Sequence, residues 1–327
     1  MSRVTSAVVA RESGVSRTTV SYVLNDTPGS SISDATRRRV LDAAERLGYT
    51  PSAAARTLRS GRSDVVLCVV PDWTAGPVID TLIDDLTTLF AAHGLSLLVF
   101  SDRSDQPLTG LWRAVTPRAV LALGPLTDAD AAAMRAARIP VVGSTLDEDP
   151  HPETFAVPQH GIAELQVQHL AARGHRVLAY AAPSDTRLAA FTERRIAGAR
   201  VACARLGLPE PRVRAVELDV DAAADAVRAW RAGEPATAVV AYNDEVALAV
   251  LAGIRTVGLR VPDDIAVIGV DDIPLARLAS PALTTIWQAI DAQAQHLASS
   301  VLAALGYPVP PPRPTAELFH VVERAST

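Results

Sequence analysis

From Asp64 onward the sequence alternates between short, wholly apolar runs and longer amphipathic ones, and this rhythm constrains the fold more than any other feature. "VVLCVV" (65–70), "LSLLVF" (95–100), "AVLAL" (119–123) and "IPVVGS" (139–144) read as strands, with helices over 77–92 and 127–137. A second series follows: helix 161–173, strand "RVLAYA" (176–181), helix 191–206, a strand near 213–217, helix 221–232, strand "AVVAY" (238–242), helix 244–257 and strand "IAVIGV" (265–270). Strands that are apolar throughout need cover on both faces, and the helices between them allow parallel pairing. The chain is therefore expected to be an α/β protein with two doubly wound parallel-sheet lobes. Beyond 270, "LTTIWQ" (283–288), a helix near 290–305, a Pro-rich stretch at 308–314 and a strand near 316–322 bring the chain back to both lobes. Such a multi-strand hinge suits closure about a ligand.

The first sixty residues are of another kind. Three short helical patterns, roughly 6–13, 16–24 and 34–47, are punctuated by Gly14 and Gly48, with Ser16 and Ser33 in N-cap positions. The loop "NDTPGSSIS" separates the second from the third. Ala10, Gly14 and Val20 meet the packing demand of a helix-turn-helix: a small residue for close approach, a glycine for the turn, a β-branched residue to lock the second helix. With Val15, Val20, Val23 and Leu24 turned inward, Arg17, Thr18, Ser21 and Tyr22 face outward. Arginine can bind guanine bidentately, while Thr and Tyr offer hydroxyl or apolar contacts to base edges. Charge points the same way. Residues 1–62 carry ten Arg against five Asp and Glu, leaving 21 cationic against 31 acidic residues in the rest. A basic head on an acidic body suits a polyanion at one end only.

These residues also carry a resemblance. "VARESGVSRTTVSYVLN" and "SDATRRRVLDAAERLGYTPSAAARTLRSGRS" are similar to the N-terminal segment of the LacI/GalR family of bacterial transcription repressors. "LGLRVPDDIAVIGVDDIPLARLASPALTTIWQ", "AYNDEVAL" and "HLAARGHR" extend the similarity through the body, and it is weak only between about 101 and 160. The resemblance implies a helix-turn-helix headpiece (1–49), a hinge helix (50–63) and a two-lobed body (64–327) of periplasmic-binding-protein type. The first lobe would take about 64–159 and 288–308, the second about 160–285 and 309–327.

The resemblance also implies roles. Arg17 and Thr18, joined by Tyr22, would enter the major groove of operator DNA, while Ser16, Thr19, Ser21 and Asn25 would hold phosphates and orient the helix. Leu58 would wedge into the minor groove, with Ala55 small enough for close approach and Arg56 and Arg59 near the backbone. The loop between Asn25 and Thr36 is about two residues longer than the family's usual pattern.

In the body, the residues just after strands are where ligands of open α/β sheets collect. Those are Asp72 and Trp73, Asn243 and Asp244, and Asp271 and Asp272; Arg195 in "RIAGA" and Gln288 in "TTIWQ" match family cleft positions. Asp72, Trp73, Arg195, Asn243, Asp271 and Gln288 form the candidate effector set. Carboxylates, amides and a guanidinium suit vicinal hydroxyls, and an indole suits the apolar face of a sugar. "DWTAGPVID" lacks the aromatic pair common in the family, and "PQHG", with Gln159 and His160, replaces its usual Asp-Asn near the lobe crossing, so the effector's identity does not carry over. For Asp72, Asn243 and Asp271 a strand-end or turn role stays open.

The reading is of a homodimeric, cytoplasmic regulator on a pseudo-palindromic operator, with a sugar-like effector and no metal, cofactor or membrane partner. Cys68 and Cys203 read as free buried thiols, no apolar leader follows Met1, and no run approaches the roughly 18 residues of a bilayer span. The alternatives are a regulator without small-molecule control, a transport-type binding protein and an enzyme. The last finds no G-x-G-x-x-G, P-loop, G-x-S-x-G or H-E-x-x-H in the sequence.

Overall fold

The computed structural model describes residues 4–24, 31–49, 62–74, 76–102, 108–124, 126–143, 158–309 and 318–327. The chain gathers into two compact units, Met1–Asp64 and Val65–Thr327. In the first, α1 (Ser6–Ser13) stops at Gly14, whose φ of +66° a side chain disfavours and whose N–H turns back onto the Ala10 and Arg11 carbonyls. α2 (Arg17–Leu24) restarts under the cap of Ser16, whose Oγ accepts from the Thr19 N–H at 3.0 Å. Ser33 caps α3 (Asp34–Arg46) in the same manner. Val9, Ala10, Val20, Val23, Val40, Ala43 and Ala44 make the core. These are small or β-branched side chains, which let three short helices approach closely, as the Ala10–Gly14–Val20 spacing predicts.

In the second unit the first lobe holds β1 (Val65–Pro71), α4 (Pro77–Ala91), β2 (Ser96–Asp102), α5 (Leu108–Val115), β3 (Ala119–Ala122), α6 (Asp128–Ala136) and β4 (Val141–Gly143). Its strands are parallel in the order β2-β1-β3-β4. α5 is absent from the elements expected of the sequence; it is eight residues long with Gly110 near the middle, and only Leu108 and Trp112, four apart, are buried.

The second lobe repeats the plan. It holds α7 (Gln159–Ala172), β5 (Leu178–Pro183), α8 (Ala189–Arg205), β6 (Arg212–Val216), α9 (Val220–Arg231), β7 (Ala238–Ala241), α10 (Asp244–Thr256), β8 (Ala266–Ile268) and a short α11 (Pro274–Leu278), in strand order β6-β5-β7-β8. Alternate strand residues feed two cores. Ala179, Val239 and Val267 pack with Trp230 and Ile254 on one face, and Leu178, Tyr180, Val240 and Ile268 with Leu170 and Ala199 on the other. Both sheets and the doubly wound architecture thus follow the expectation, with element ends moved by one to three residues.

β9 (Thr285–Gln288), α12 (Ile290–Ala304) and β10 (Phe319–Val322) tie the lobes together. α12 buries Ala294, Leu297, Ala298 and Val301 in the first lobe's core beside Leu86 and Phe90. β9 and β10 pair antiparallel, and Ile286, Phe319 and Val321 pack on the second lobe. The chain therefore crosses between lobes within two residues after Gln288. Cys68 and Cys203 are free and buried, and burial pushes the Cys68 thiol up to about 12. Among the described residues, no helix is long and apolar enough to cross a membrane.

Candidate functional site

α2 presents a polar face because its apolar residues are spent on the core. Val20 and Val23 are buried, Val15 and Leu24 are partly so, and Arg17 and Thr18 are exposed beside Tyr22. Tyr22 stands 42% exposed, unusual for so large an apolar ring and fitting for a residue that meets a partner. Ser16 and Thr19 are engaged with each other through their hydroxyls at 2.9 Å, so Ser16 acts first as the helix cap. Ser21 is half-buried. Asn25, Ala55 and Leu58, like Arg56 and Arg59, lie outside the described residues.

In the body, the strand ends converge on a cavity of about 160 Å³ between the lobes. Trp73, Arg195, Asn243, Asp271 and Gln288 of the expected set line it. Asp72 does not: it is exposed, and its carboxylate faces the Arg187 guanidinium at 3.9 Å. The loop after β1 turns inward at Trp73 and outward at Asp72, an alternation that strand-end position alone cannot assign.

Arg195 is held firmly. Its Nε donates to Gln159 Oε1 at 2.8 Å, Nη1 donates to the Tyr242 carbonyl, and the guanidinium stacks over the Tyr242 ring at 4.6 Å. Gly198 makes this possible. A Cβ there would lie 2.7 Å from the His160 Cα, so only glycine lets α8 approach the start of α7, where Gln159 sits. Gly198→Ala is expected to cost about 2–3 kcal/mol of stability through forced separation of two packed helices. An unchanged denaturation midpoint would show that the helices can yield.

Asp271 sits at φ +108° and Asp272 at φ +49°, two consecutive non-glycine residues in left-handed backbone. Strain of this kind, on the order of 1–3 kcal/mol per residue, concentrates at ligand sites. Here it is held by backbone bonds from the Asp271 N–H to Ile286 and from the Gly269 N–H to Thr284, and by Arg324, whose Nη2 donates to Asp272 Oδ1 at 2.5 Å. Gln288 Nε2 donates to Asp271 Oδ1 at 2.6 Å. Burial nevertheless raises the Asp271 carboxyl to about 7, against the opposing pull of Arg195.

Asn243 keeps the cap role left open for it, with Oδ1 accepting from the Val246 N–H at 3.0 Å, while its Nδ2 reaches Glu245 at 3.3 Å. Asp244 is wholly buried and structural, accepting from Thr285 Oγ1 at 2.6 Å and from the Ile273 N–H at 3.0 Å. Desolvation lifts it to about 7 as well.

The sequence reading missed Phe191, Tyr242 and Glu245 as wall residues and treated Gln159 only as a departure from a pattern. Tyr242 and Glu245 flank Asn243 and were within reach of the strand-end rule. Phe191 sits within a helix, where nothing local marks it. It meets Trp73 edge-on at 5.0 Å across the cleft. Beside that pair, Thr74 Oγ1 of the first lobe donates to Asp185 Oδ2 of the second, and Arg187 bridges Asp185 (2.6 Å) and Asp72. These partners hold the Asp185 carboxyl well below the usual carboxylate range.

Comparison with known proteins identifies both parts of the chain. Residues 8–52 match the model of bacterial regulatory proteins of the lacI family, and residues 167–327 match the periplasmic binding protein-like domain. The HTH-type transcriptional regulator GalR of Salmonella typhimurium (strain SL1344) is 30% identical over 324 residues, covering 96% of this chain and 91% of GalR. Catabolite control protein A of Priestia megaterium is 29% identical over 291 residues, covering 86% of each chain. Among solved structures, a lac repressor dimer bound to operator and the anti-inducer ONPF shares the fold, with a TM-score of 0.82, 24% identity and 99% of each chain covered. With GalR 30% identical and covering 96% of this chain, and with the lacI-family model matched at its N-terminal end, the chain belongs to the LacI family of bacterial regulatory proteins.

Proposed function

We propose that the chain is a cytoplasmic, homodimeric repressor that binds a pseudo-palindromic operator and releases it when a small polar metabolite of sugar type occupies the interlobe cavity. The observation that carries this is the convergence of Arg195, Asn243, Asp271 and Gln288 on one cavity, in a chain whose other end presents Arg17, Thr18 and Tyr22. The relatives are transcriptional regulators, and no catalytic role is assigned to any residue. Two headpieces on a dimer would read two half-sites. Residues 50–63 would serve as the hinge between headpiece and body, with Leu58 as the minor-groove wedge. Exposed Leu275 (55%) and Leu278 (75%) on α11, and Leu98 and Val99 on the edge strand β2, suit burial against a second copy.

The test is selection of bound DNA from a random pool by the full-length protein, with and without a metabolite extract. Recovery of an inverted repeat that the extract releases is expected. Retention without sequence preference would overturn the repressor reading, and a repeat insensitive to the extract would favour a regulator without small-molecule control. Arg17→Ala in the same selection is expected to relax preference at one position of each half-site, at a cost of about 1–3 kcal/mol. An unchanged motif would remove Arg17 from the readout.

A further inference from the structure

We propose that the amino end of the first lobe's sheet, the end away from the interlobe cavity, is a second DNA-binding surface that grips duplex phosphates without reading sequence. This rests on the DNA-binding reading of the headpiece and gives the same partner a contact on the body.

Topology gathers the residues. The strands of the first lobe are parallel, so Val65, Ser96, Ala119 and Val141 open at one end, and the helices that return between them finish there. Arg113 lies in the last turn of α5, Arg135 in the last turn of α6, and Arg138 in the turn that follows, at φ +55°. Arg118 leads into β3: its N–H donates to the Val65 carbonyl at 2.8 Å, and its guanidinium lies 6.0 Å from the centre of the Tyr307 ring. α5 and α6 cover the same face of the sheet, since Leu108, Trp112 and Met134 pack in one core with Leu67 and Val120. Arg113, Arg135 and Arg138 are exposed and Arg118 is half-buried.

Carboxylates of this lobe lie toward the other end. Asp72 follows β1, Asp102 closes β2, and Asp80, Asp128 and Asp130 stand in the first turns of α4 and α6. The described stretches that meet at the arginine end, 87–95, 113–119, 133–141 and 301–309, hold no Asp or Glu, and Asp64 beside Val65 adds one.

Helix ends alone do not account for this. A cation in the last turn complements the helix dipole, and both lobes follow that rule. In the second lobe, however, Arg173 meets Glu323 at 2.8 Å, Arg205 meets Glu164 at 2.7 Å, Arg228 meets Asp225 at 2.5 Å and Arg260 meets Asp263 at 3.1 Å. One architecture therefore interleaves its arginines with carboxylates in one lobe and gathers them around a single carboxylate in the other. On a body that is acidic as a whole, a local excess of guanidinium suits a polyanion. The chain that carries the headpiece joins the body at Val65, at this same end, which makes duplex DNA the polyanion tethered nearest to these arginines along the chain. Contacts of this kind add affinity for any sequence and are weakened by salt.

The experiment measures binding of the full-length protein to a random-sequence duplex at a series of KCl concentrations. Each phosphate contact contributes about 0.9 to the slope of log affinity against log salt. The triple variant Arg113→Gln, Arg135→Gln, Arg138→Gln is expected to lower that slope by about 2–3 and to weaken binding about ten-fold or more, while the base motif recovered by selection stays the same. The reference is Arg205→Gln, Arg228→Gln, Arg260→Gln on the second lobe, which changes net charge equally and is expected to keep the slope. All six side chains are exposed, so neither variant disturbs a core. An unchanged slope in the first-lobe variant overturns the proposal, and so does an equal loss in both variants, which would reflect net charge alone. If the unsubstituted protein binds no duplex in a salt-dependent manner, the DNA-binding reading falls with it.

Discussion

Arg195→Ala should shift the effector response to about 10- to 100-fold higher ligand concentration and leave operator binding in the absence of effector within about two-fold of the unsubstituted protein. Arg195 presents a rigid fork at the centre of the cavity's polar wall, with Gln159, the Tyr242 carbonyl and the Tyr242 ring fixing its direction. Truncation removes the donors a ligand would meet and leaves the Gln159 and Tyr242 acceptors buried without them. Loss of hydrogen bonds to a charged group costs about 1.5–3 kcal/mol, on the order of 10- to 100-fold in ligand affinity. Arg195→Lys keeps the charge without the fork and should lie between. Titration of operator release by whichever ligand stabilises the unsubstituted protein measures this, and a normal response from the alanine variant would take Arg195 out of the site. Melting of the body should fall in parallel, because the same guanidinium ties α7 to α8.

The second large effect concerns pH. Asp244 titrates near 7 in the folded body and near 3.8 when unfolded, so between these values the folded state holds a proton that the unfolded chain has released. Stability from this group is complete below about 4 and is lost as pH rises toward 7. Each pKa unit corresponds to about 1.4 kcal/mol, which puts the loss at a few kcal/mol. His169, His175 and His296 oppose it, since burial lowers their proton affinity and their contribution grows with pH. Asp271, which burial also raises to about 7, acts in the same direction and is coupled to Asp244, so the comparison with Asp244→Asn, in which the histidines are unchanged, removes the Asp244 share together with that coupling. The variant is expected to be less stable throughout, having lost one acceptor for Thr285 or Ile273, but to lose less stability than the unsubstituted protein between pH 5 and pH 8. Parallel pH profiles would show that Asp244 is ionised in the folded body at neutral pH.

Most of the architecture was legible because it is written in period and punctuation. Apolar runs marked the strands of the two parallel sheets apart from β6, which Arg212 and Arg214 interrupt, and Gly14 with Ser16 marked the turn of the headpiece. What escaped did so for physical reasons. α11 spans five residues, too few for a helical period to declare itself, and α5 anchors to the core through Leu108 and Trp112 alone. In the cleft, strand-end position led to Trp73, Asn243 and Asp271, which line it, and to Asp72, which is exposed beside Arg187. Phe191 could not be found at all, since its partner Trp73 is far off in sequence and joins it only when the lobes meet. Asp244 shows the reverse limit: it follows a strand as a binding residue would, yet Gly269, where any Cβ would collide with its Oδ1, makes room for it to turn into the core.

The contacts that bridge the mouth of the cleft carry a kinetic consequence. Thr74 with Asp185, Asp72 with Arg187 and Trp73 with Phe191 all join one short loop to one stretch of the second lobe. Were they to part as a group, a ligand on that side would leave only while all three are broken together. Dissociation is then timed by the loop rather than by the ligand's own contacts, and a weakly held metabolite can still have a long residence. For a regulator, the interval over which a past encounter continues to be felt is set by hinge motion and is separable from affinity.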